Sequence, residues 1–237
     1  MIAIVLHLYY QDLWEEFKGK IVPLLNDNTH LYITVNEESE YTDDMKKFAK
    51  ELYVVKNKGT DFGPFVYVWN LIKDDGYDYV LKLHGKKSKD ISKIHGMHFG
   101  TIWRHQLVDA IIKDVEKFYT IIDFMKENPS VHMAGSQRHF YDKERESFNH
   151  VNRSNCLNSI NKLLKYVNTD NHGCFFAGSI FLVTTNYLKM FFGNCDLNDL
   201  YEEFEEYYSS KGELLSHGME RVIGYGVERH DGKFLIV

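Results

Sequence analysis

The sequence predicts an α/β fold in which helices flank a mainly parallel central sheet. Two observations lead to this expectation. Apolar strand-like runs alternate with helix-like segments over roughly the first 90 residues, in the order β-α-β-α-β-α-β, and this alternation is typical of parallel sheets built with crossover helices. No repeat or proline-rich linker divides the 237 residues, a length that one large α/β domain accommodates. We therefore expect a single domain over residues 1–237.

The first half contains four predicted strands and three helices. Residues 2–8 form a continuous apolar run, as in a strand buried on both faces. Thr42 is a plausible N-cap, with Asp43 and Asp44 in the positive first turn that follows. Pro64 suits the first position of the third helix, which we expect to end near Gly76. The remaining predicted segments are a helix over 11–25, strands over 30–35, 51–56 and 78–84, and the helix that Thr42 begins, which runs to residue 50.

The second half has a less regular pattern. A polar stretch over 139–161 shows no clear periodicity, and residues 173–184 indicate either a strand pair or one bent strand. The other predicted segments are a helix over 101–127, a strand over 131–136, a helix from 185, an acidic helix over 196–208, a helix from about 216 and a final strand over 233–237.

Composition excludes several classes of protein. The net charge is −6 without a long basic run, which disfavours a general nucleic-acid binder. Three cysteines without a CxxC spacing argue against a disulfide framework or structural zinc and favour a reducing compartment. No apolar run reaches the ~18 residues of a membrane span, and the first residues lack the features of a signal peptide. We expect a cytoplasmic protein that reaches a membrane only through partners.

The loop at residues 57–65, Asn-Lys-Gly-Thr-Asp-Phe-Gly-Pro-Phe, is the first candidate site. Its glycines let the backbone approach a ligand, and the helix that follows offers free N–H groups. Lys58 adds positive charge, and Asp61 can accept hydrogen bonds from a base or a ribose. An ordinary β-α turn with a capping aspartate explains the same residues equally well.

The end of the fourth strand is the second candidate. Lys82 and His84 occupy alternate positions of an otherwise apolar strand and would share one face, and buried unpaired charge is costly. Gly85 and Lys86 follow at the carboxyl end, where ligands bind in parallel sheets. The alternative is a solvated basic turn.

Two weaker candidates involve histidines. His95 and His98 could share a metal ion at i, i+3, although no Cys or carboxylate stands at a matching spacing. Arg104 could pair a diphosphate bidentately, or it could form an ordinary ion pair. His217 and Glu220 reach one helix face, where Glu220 could act as a general base or form a helical ion pair.

Two further segments favour structural roles. Small residues between the aromatic side chains of residues 175–181 could make room for a ring, but a tight core strand explains them better. The acidic run that includes Glu202, Glu203, Glu205 and Glu206 is typical of a solvated helix face.

Taken together, these motifs resemble the rhamnan synthesis F family, whose related domains occur in large chlorovirus glycosyltransferases. The resemblance spans nearly the whole chain in the family's order. It rests on residues 3–10, 57–65, 79–88, Trp103-Arg104, 176–181 and 217–221.

The resemblance implies a GT-A-type glycosyltransferase, often one that transfers L-rhamnose, with a nucleotide-binding half at 1–90 and a sugar and acceptor half at 91–237. The donor would be a UDP- or dTDP-sugar and the acceptor a growing glycan. One departure is clear: the metal-binding Asp-x-Asp of GT-A enzymes would fall on His84-Gly85-Lys86. Lys86 supplies fixed charge there, and His84 could bind phosphate or be a single metal ligand, so a requirement for Mn or Mg stays open.

These expectations assign roles to individual residues. His7, Tyr9 and Tyr10 would line the base side of the donor cleft, and Asp61 would bind the base or ribose. The diphosphate would be held by Lys58, Lys82, His84, Lys86 and Arg104. Glu220 would be the candidate base, with His217 beside it.

Two other functions stay open at this point. One is a binding module without catalysis, suggested by the missing Asp-x-Asp. The other is a metal-dependent hydrolase built on histidines 84, 95, 98 and 105.

Overall fold

The computed structural model describes residues 1–37, 41–85, 87, 93–94, 97–142, 156–206 and 214–237, with 93–94 and 97–99 described by their backbone only. Its strands are β1 Ile2–His7, β2 Thr29–Asn36, β3 Glu51–Val55, β4 Tyr79–His84, β5 Lys93–Ile94, β6 Met97–His98, β7 Val131–Gly135, β8 Phe140–Tyr141, β9 Phe175–Phe176, β10 Phe181–Thr184 and β11 Lys233–Ile236.

Seven of these strands form one sheet in the order β11-β7-β10-β4-β1-β2-β3. Strands β4, β1, β2 and β3 are mutually parallel, and β11 is parallel to β7. Only β10 runs the other way, between β4 and β7. The predicted α/β class with a mainly parallel sheet is therefore confirmed.

Helices cover both faces of the sheet. They are α1 Trp14–Ile21, α2 Asp43–Phe48, α3 Phe62–Ile72, α4 Phe99–Ile112, α5 Val115–Glu127, α6 Leu157–Leu163, α7 Thr185–Phe192, α8 Leu197–Glu203 and α9 Leu215–Arg229. One apolar core lies between the sheet and helices α3 and α6 to α9, and a second lies between the sheet and α1, α2, α4 and α5.

Alternation along the strands divides residues between these cores. Ala3 and Val5 of β1 and Val80 of β4 belong to the first core, whereas Ile4 and Leu81 belong to the second. The continuous apolar run predicted for β1 is explained by this burial on both faces, because each face needs its own apolar side chains.

Several helix predictions were wrong in detail. The acidic helix expected over 196–208 ends at Glu203, and the helix expected over 11–25 is α-helical only over Trp14–Ile21. The single helix expected over 101–127 is two helices, because Asp114 leaves the helical conformation and its side chain caps α5 by accepting from the Lys117 N–H at 2.8 Å. Pro64 is the third residue of α3 and not the first. The Thr42 cap is confirmed, since its hydroxyl accepts from the Met45 N–H at 3.3 Å.

The segment at 173–184 holds two strands that belong to different sheets. Strand β9 pairs with β8 in a small antiparallel sheet, and β10 enters the central sheet. Gly178 and Ser179 lie between them, both with positive φ (+97° and 57°). Among the described residues, no helix has both the length and the apolar character needed to cross a membrane.

Candidate functional site

The carboxyl ends of β1 and β4 meet at the point where the order of the parallel strands reverses. From β1 the chain continues to β2 and β3 on one side, while β4 pairs on the other side. His7 and His84 end these two strands and are direct partners in the register. The crevice at such a reversal is where open α/β sheets bind ligands, so both histidines lie at the expected position.

Lys82 is a buried cation in this region. Its side chain is 1% exposed, and its Nζ lies 4.3 Å from the centre of the Phe62 ring, with Phe65 and Phe181 each at 5.8 Å. The ammonium donates to the Asp61 carboxylate and, at 2.9 Å, to the carbonyl of Ser179. Buried charge needs both pairing and hydrogen bonds, and this arrangement supplies them.

Asp61 reaches Lys82 from the loop between β3 and α3. Gly59 and Thr60 just before it both have positive φ, at 65° and 51°. Gly63 must lack a side chain, since a Cβ there would lie 2.0 Å from the carbonyl oxygen of Lys58. The Asp61 side chain gives no N-cap hydrogen bond to α3, and it is 15% exposed. The capping role considered for Asp61 is therefore not the one seen.

The Gly178–Ser179 turn, between β9 and β10, makes hydrogen bonds to side chains of both β4 and α9. Its two carbonyls accept from the β4 side chains: His84 Nε2 donates to Gly178 at 2.9 Å, and Lys82 donates to Ser179 at 2.9 Å. On its other side, Glu220 Oε1 accepts from the Gly178 N–H at 2.7 Å and from the Ser179 hydroxyl at 3.2 Å. The turn thus lies between two candidate residues of β4 and one of α9.

His7 is neutral at physiological pH. Burial lowers its pKa to about 3, and the nearby positive charge of Lys82 acts in the same direction, while Asp61 opposes it. Its Nδ1 is hydrogen-bonded to the Thr34 hydroxyl at 3.0 Å. His7 can therefore offer a ligand a hydrogen bond but not a positive charge.

Two other predicted residues pair with carboxylates that are not part of this cluster. The Lys58 ammonium pairs with Glu202 of α8 at 2.5 Å and lies over the Tyr201 ring. Arg104 binds Glu16 of α1 with two nitrogens, at 2.9 and 2.6 Å. Their contacts to a diphosphate stay predictions.

Tyr9 and His217 both retain exposure to solvent. Tyr9 is 40% exposed and contacts Tyr10 edge to face. His217 is half-buried on α9, and its carbonyl accepts from Arg221 at 2.9 Å. The roles predicted for both residues stay predictions.

In the part of the chain that the structure describes, no cluster of side chains is suited to bind a metal ion. No three His, Cys, Asp or Glu side chains come together there. The nearest candidates already have partners. Asp61 accepts from Lys82, and His84 donates to the Gly178 carbonyl. His105 Nε2 lies 3.4 Å from Glu16. Lys86 and His95 lie outside the described residues, and only the backbone of His98 is described.

Nothing in the sequence indicates the carboxylates that pair with Lys58 and Arg104. No pattern marks Glu16, and the acidic run that includes Glu202 is typical of a solvated helix face. The Glu202 side chain is 67% exposed, in agreement with that interpretation, yet it pairs with Lys58 across 144 positions of sequence. No local pattern signals such a partner, because only the tertiary fold brings the two together.

Comparison with known proteins identifies relatives of this chain. The model of the family described as "Rhamnan synthesis protein F" matches residues 1–231. Proteins of two Xanthomonas campestris pv. campestris strains, both described as "Uncharacterized protein WxcX", are 25% identical over 239 residues, which is 97% of this chain and 32% of each relative. The chain thus spans about a third of the length of the curated relatives it matches.

Solved structures of two fungal proteins are similar in outline. Core-mannan synthase A (CmsA/Ktr4) from Aspergillus fumigatus, in its Mn/GDP form, has 11% identity and a TM-score of 0.44, with 98% of this chain and 72% of that chain covered. The mannosyltransferase Ktr4p from S. cerevisiae, in complex with GDP, has 11% identity and a TM-score of 0.46, with coverages of 98% and 68%.

Proposed function

Because the chain belongs to the rhamnan synthesis protein F family, we propose that it is a GT-A-type glycosyltransferase that transfers a sugar from a nucleotide donor to a glycan. The donor is a nucleoside-diphosphate sugar, with UDP- and dTDP-sugars as the first candidates. L-rhamnose is the sugar that the family description favours.

One observation carries this proposal: polar side chains converge at the strand-order reversal. His7 and His84 end adjacent strands in register, and Lys82 lies two residues before the end of β4 on the same face as His84. Fully buried polar groups at the centre of a sheet are costly to the fold, so their presence at a ligand-binding crevice supports a role in binding.

The proposed chemistry rests on positioning and charge. Departure of a nucleoside diphosphate leaves negative charge on the phosphate oxygens, which preorganised donors stabilise. His84 lies at the crevice with its Nε2–H donated to the Gly178 carbonyl, so it can donate to phosphate only through Nδ1 of the protonated ring. The buried Lys82–Asp61 ion pair lies beside it. Lys58 becomes available to phosphate when the exposed Glu202 carboxylate moves away, because that partner is easily solvated.

Among the residues that the structure describes, no set of side chains fits a divalent cation. Adding EDTA and then Mn or Mg to the same assay measures the requirement directly.

The proposal is tested by turnover of purified protein with a panel of UDP-, dTDP- and GDP-sugars, each with and without a glycan acceptor. We expect release of nucleoside diphosphate from one donor, faster with acceptor. Replacing His84 by Ala should reduce that release, whereas replacing the exposed Lys126 on the amino-end side of the sheet should not. Absence of both binding and turnover for every donor refutes the proposal, and binding without turnover favours the non-catalytic module.

A further inference from the structure

Glu220 makes two hydrogen bonds that a simple general base does not require. Its Oε1 accepts from the Gly178 N–H at 2.7 Å and from the Ser179 hydroxyl at 3.2 Å. Its other oxygen lies 3.7 Å from Arg221 Nη1, and the side chain is 20% exposed. The carboxylate is thus anchored to a turn contributed by another part of the chain.

The turn that it holds is conformationally unfavourable. Ser179 has a φ of 57°, a region that L-residues other than glycine rarely adopt and that costs on the order of 1 kcal/mol or more. Such a conformation persists only when surrounding contacts fix it. Glu220 provides two of these contacts, one to the backbone and one to the Ser179 side chain.

The other side of the same turn holds the β4 candidates. The Gly178 carbonyl accepts from His84 Nε2 and the Ser179 carbonyl accepts from Lys82 Nζ, both at 2.9 Å. The turn therefore faces Glu220 with the Gly178 N–H and the Ser179 hydroxyl, and it faces β4 with the carbonyls of both residues. A shift of the turn moves both acceptors together.

From these contacts we propose that Glu220 is a positioning residue, which fixes the Gly178–Ser179 turn so that its carbonyls hold His84 and Lys82 in place at the donor site. The inference rests on the proposed function, since it concerns how that site is organised. It assigns Glu220 a role through hydrogen-bond acceptance, for which ionisation is not required.

Glutamine separates this role from that of a general base. Glu220→Gln keeps an oxygen that accepts from Gly178 and Ser179. The amide nitrogen replaces the oxygen that lies 3.7 Å from Arg221 Nη1, so Arg221 loses only a long ion pair. Glu220→Ala removes the acceptor. Positioning predicts kcat/KM within about threefold of wild type for Gln and a loss of about 100-fold for Ala, because misplacement of about 1 Å can cost that much.

A general base predicts a different pattern. Loss of the base costs about 10²- to 10⁴-fold in both variants, and the acidic limb of the kcat/KM–pH profile should disappear with Gln. Positioning predicts an unchanged profile for Gln. Glu228→Gln, an exposed glutamate on the same helix, is the matched control and should match wild type.

A second readout needs no substrate. The Gly178 amide and the His84 ring are observed by NMR in wild type, Glu220→Gln, Glu220→Ala and Glu228→Gln. Positioning predicts that Ala shifts both signals strongly and that Gln shifts them little. The inference is overturned if Glu220→Ala leaves both NMR signals in place. It is also overturned if Glu220→Gln loses activity about 100-fold with both signals unchanged. If Glu220→Ala does not fold, the activity and pH profile of Glu220→Gln decide. Lack of turnover in wild type instead refutes the proposed function and leaves the NMR result to judge the positioning role.

Discussion

The buried ion pair between Lys82 and Asp61 gives the sharpest prediction about stability. Lys82 is 1% exposed and Asp61 is 15% exposed, so neither charge is well solvated when its partner is removed. Replacing Lys82 by Met removes the ammonium that faces a nearly buried carboxylate, which costs about 3–5 kcal/mol. For a chain of this size, that corresponds to a decrease in Tm of roughly 10 °C.

Combining substitutions isolates the pair itself. Lys82→Met with Asp61→Asn removes both charges and should cost far less than the sum of the single variants, because replacing a buried pair by neutral groups is often close to neutral. The free energy of unfolding is measured by urea titration followed through tryptophan fluorescence. Lys126→Met is the control, since its pair with Asp123 is 58% and 63% exposed and should be worth under about 0.5 kcal/mol.

The double variant also gives the refuting result. If Lys82→Met costs less than about 1 kcal/mol and the two substitutions are simply additive, the ammonium is not buried against Asp61 as described. The account of the site as a charged cluster sealed by aromatic rings then fails.

Three more outcomes follow from the contacts described. Burial lowers the pKa of His7 from 6.5 to about 3, so between these pH values the unfolded chain binds a proton at His7 that the folded chain does not. The free energy of unfolding should therefore fall by about 1.4 kcal/mol per pH unit as pH falls from about 6.5 to 3. His7→Asn should flatten this dependence in urea titrations. Glu202→Gln should tighten nucleoside-diphosphate binding roughly two- to fivefold by calorimetry, because an exposed competing carboxylate is removed, whereas Glu203→Gln should not; equal or weaker binding by Glu202→Gln contradicts this. Gly178→Ala should destabilise the protein by more than about 1 kcal/mol, since the new Cβ would lie 2.4 Å from the Leu107 side chain. Gly193 also has a positive φ, but a Cβ there would have its nearest contact at 3.8 Å, so Gly193→Ala should cost less in the same denaturation assay. Equal costs would contradict the steric argument.

Local patterns explain why the fold could be predicted from the sequence. The continuous apolar run over residues 2–8 reflects burial on both faces of a strand, and the cap at Thr42 is a property of a few adjacent residues. The break between α4 and α5 could not be predicted as easily, because the apolar period continues through it and only the Asp114 cap marks it. Reversal of β10 depends on tertiary pairing that no local pattern contains.

The candidate site was predictable only in part, for the same physical reason. Lys82 and His84 stand out because polar residues on a buried strand need an explanation. Their partners, the carbonyls of Gly178 and Ser179, lie more than 90 positions away and are backbone groups that every residue possesses. Sequence therefore identifies the costly side chains, but the contacts that satisfy them come from the fold.

A crystal structure of the protein with a bound nucleoside diphosphate would show where the donor binds. UDP, dTDP and GDP would each be supplied, with and without Mn. We expect the diphosphate to lie at the carboxyl ends of β1 and β4, within hydrogen-bond reach of His84 and beside His7. A diphosphate bound at the opposite edge of the sheet, near Tyr79 and Lys126, would contradict it.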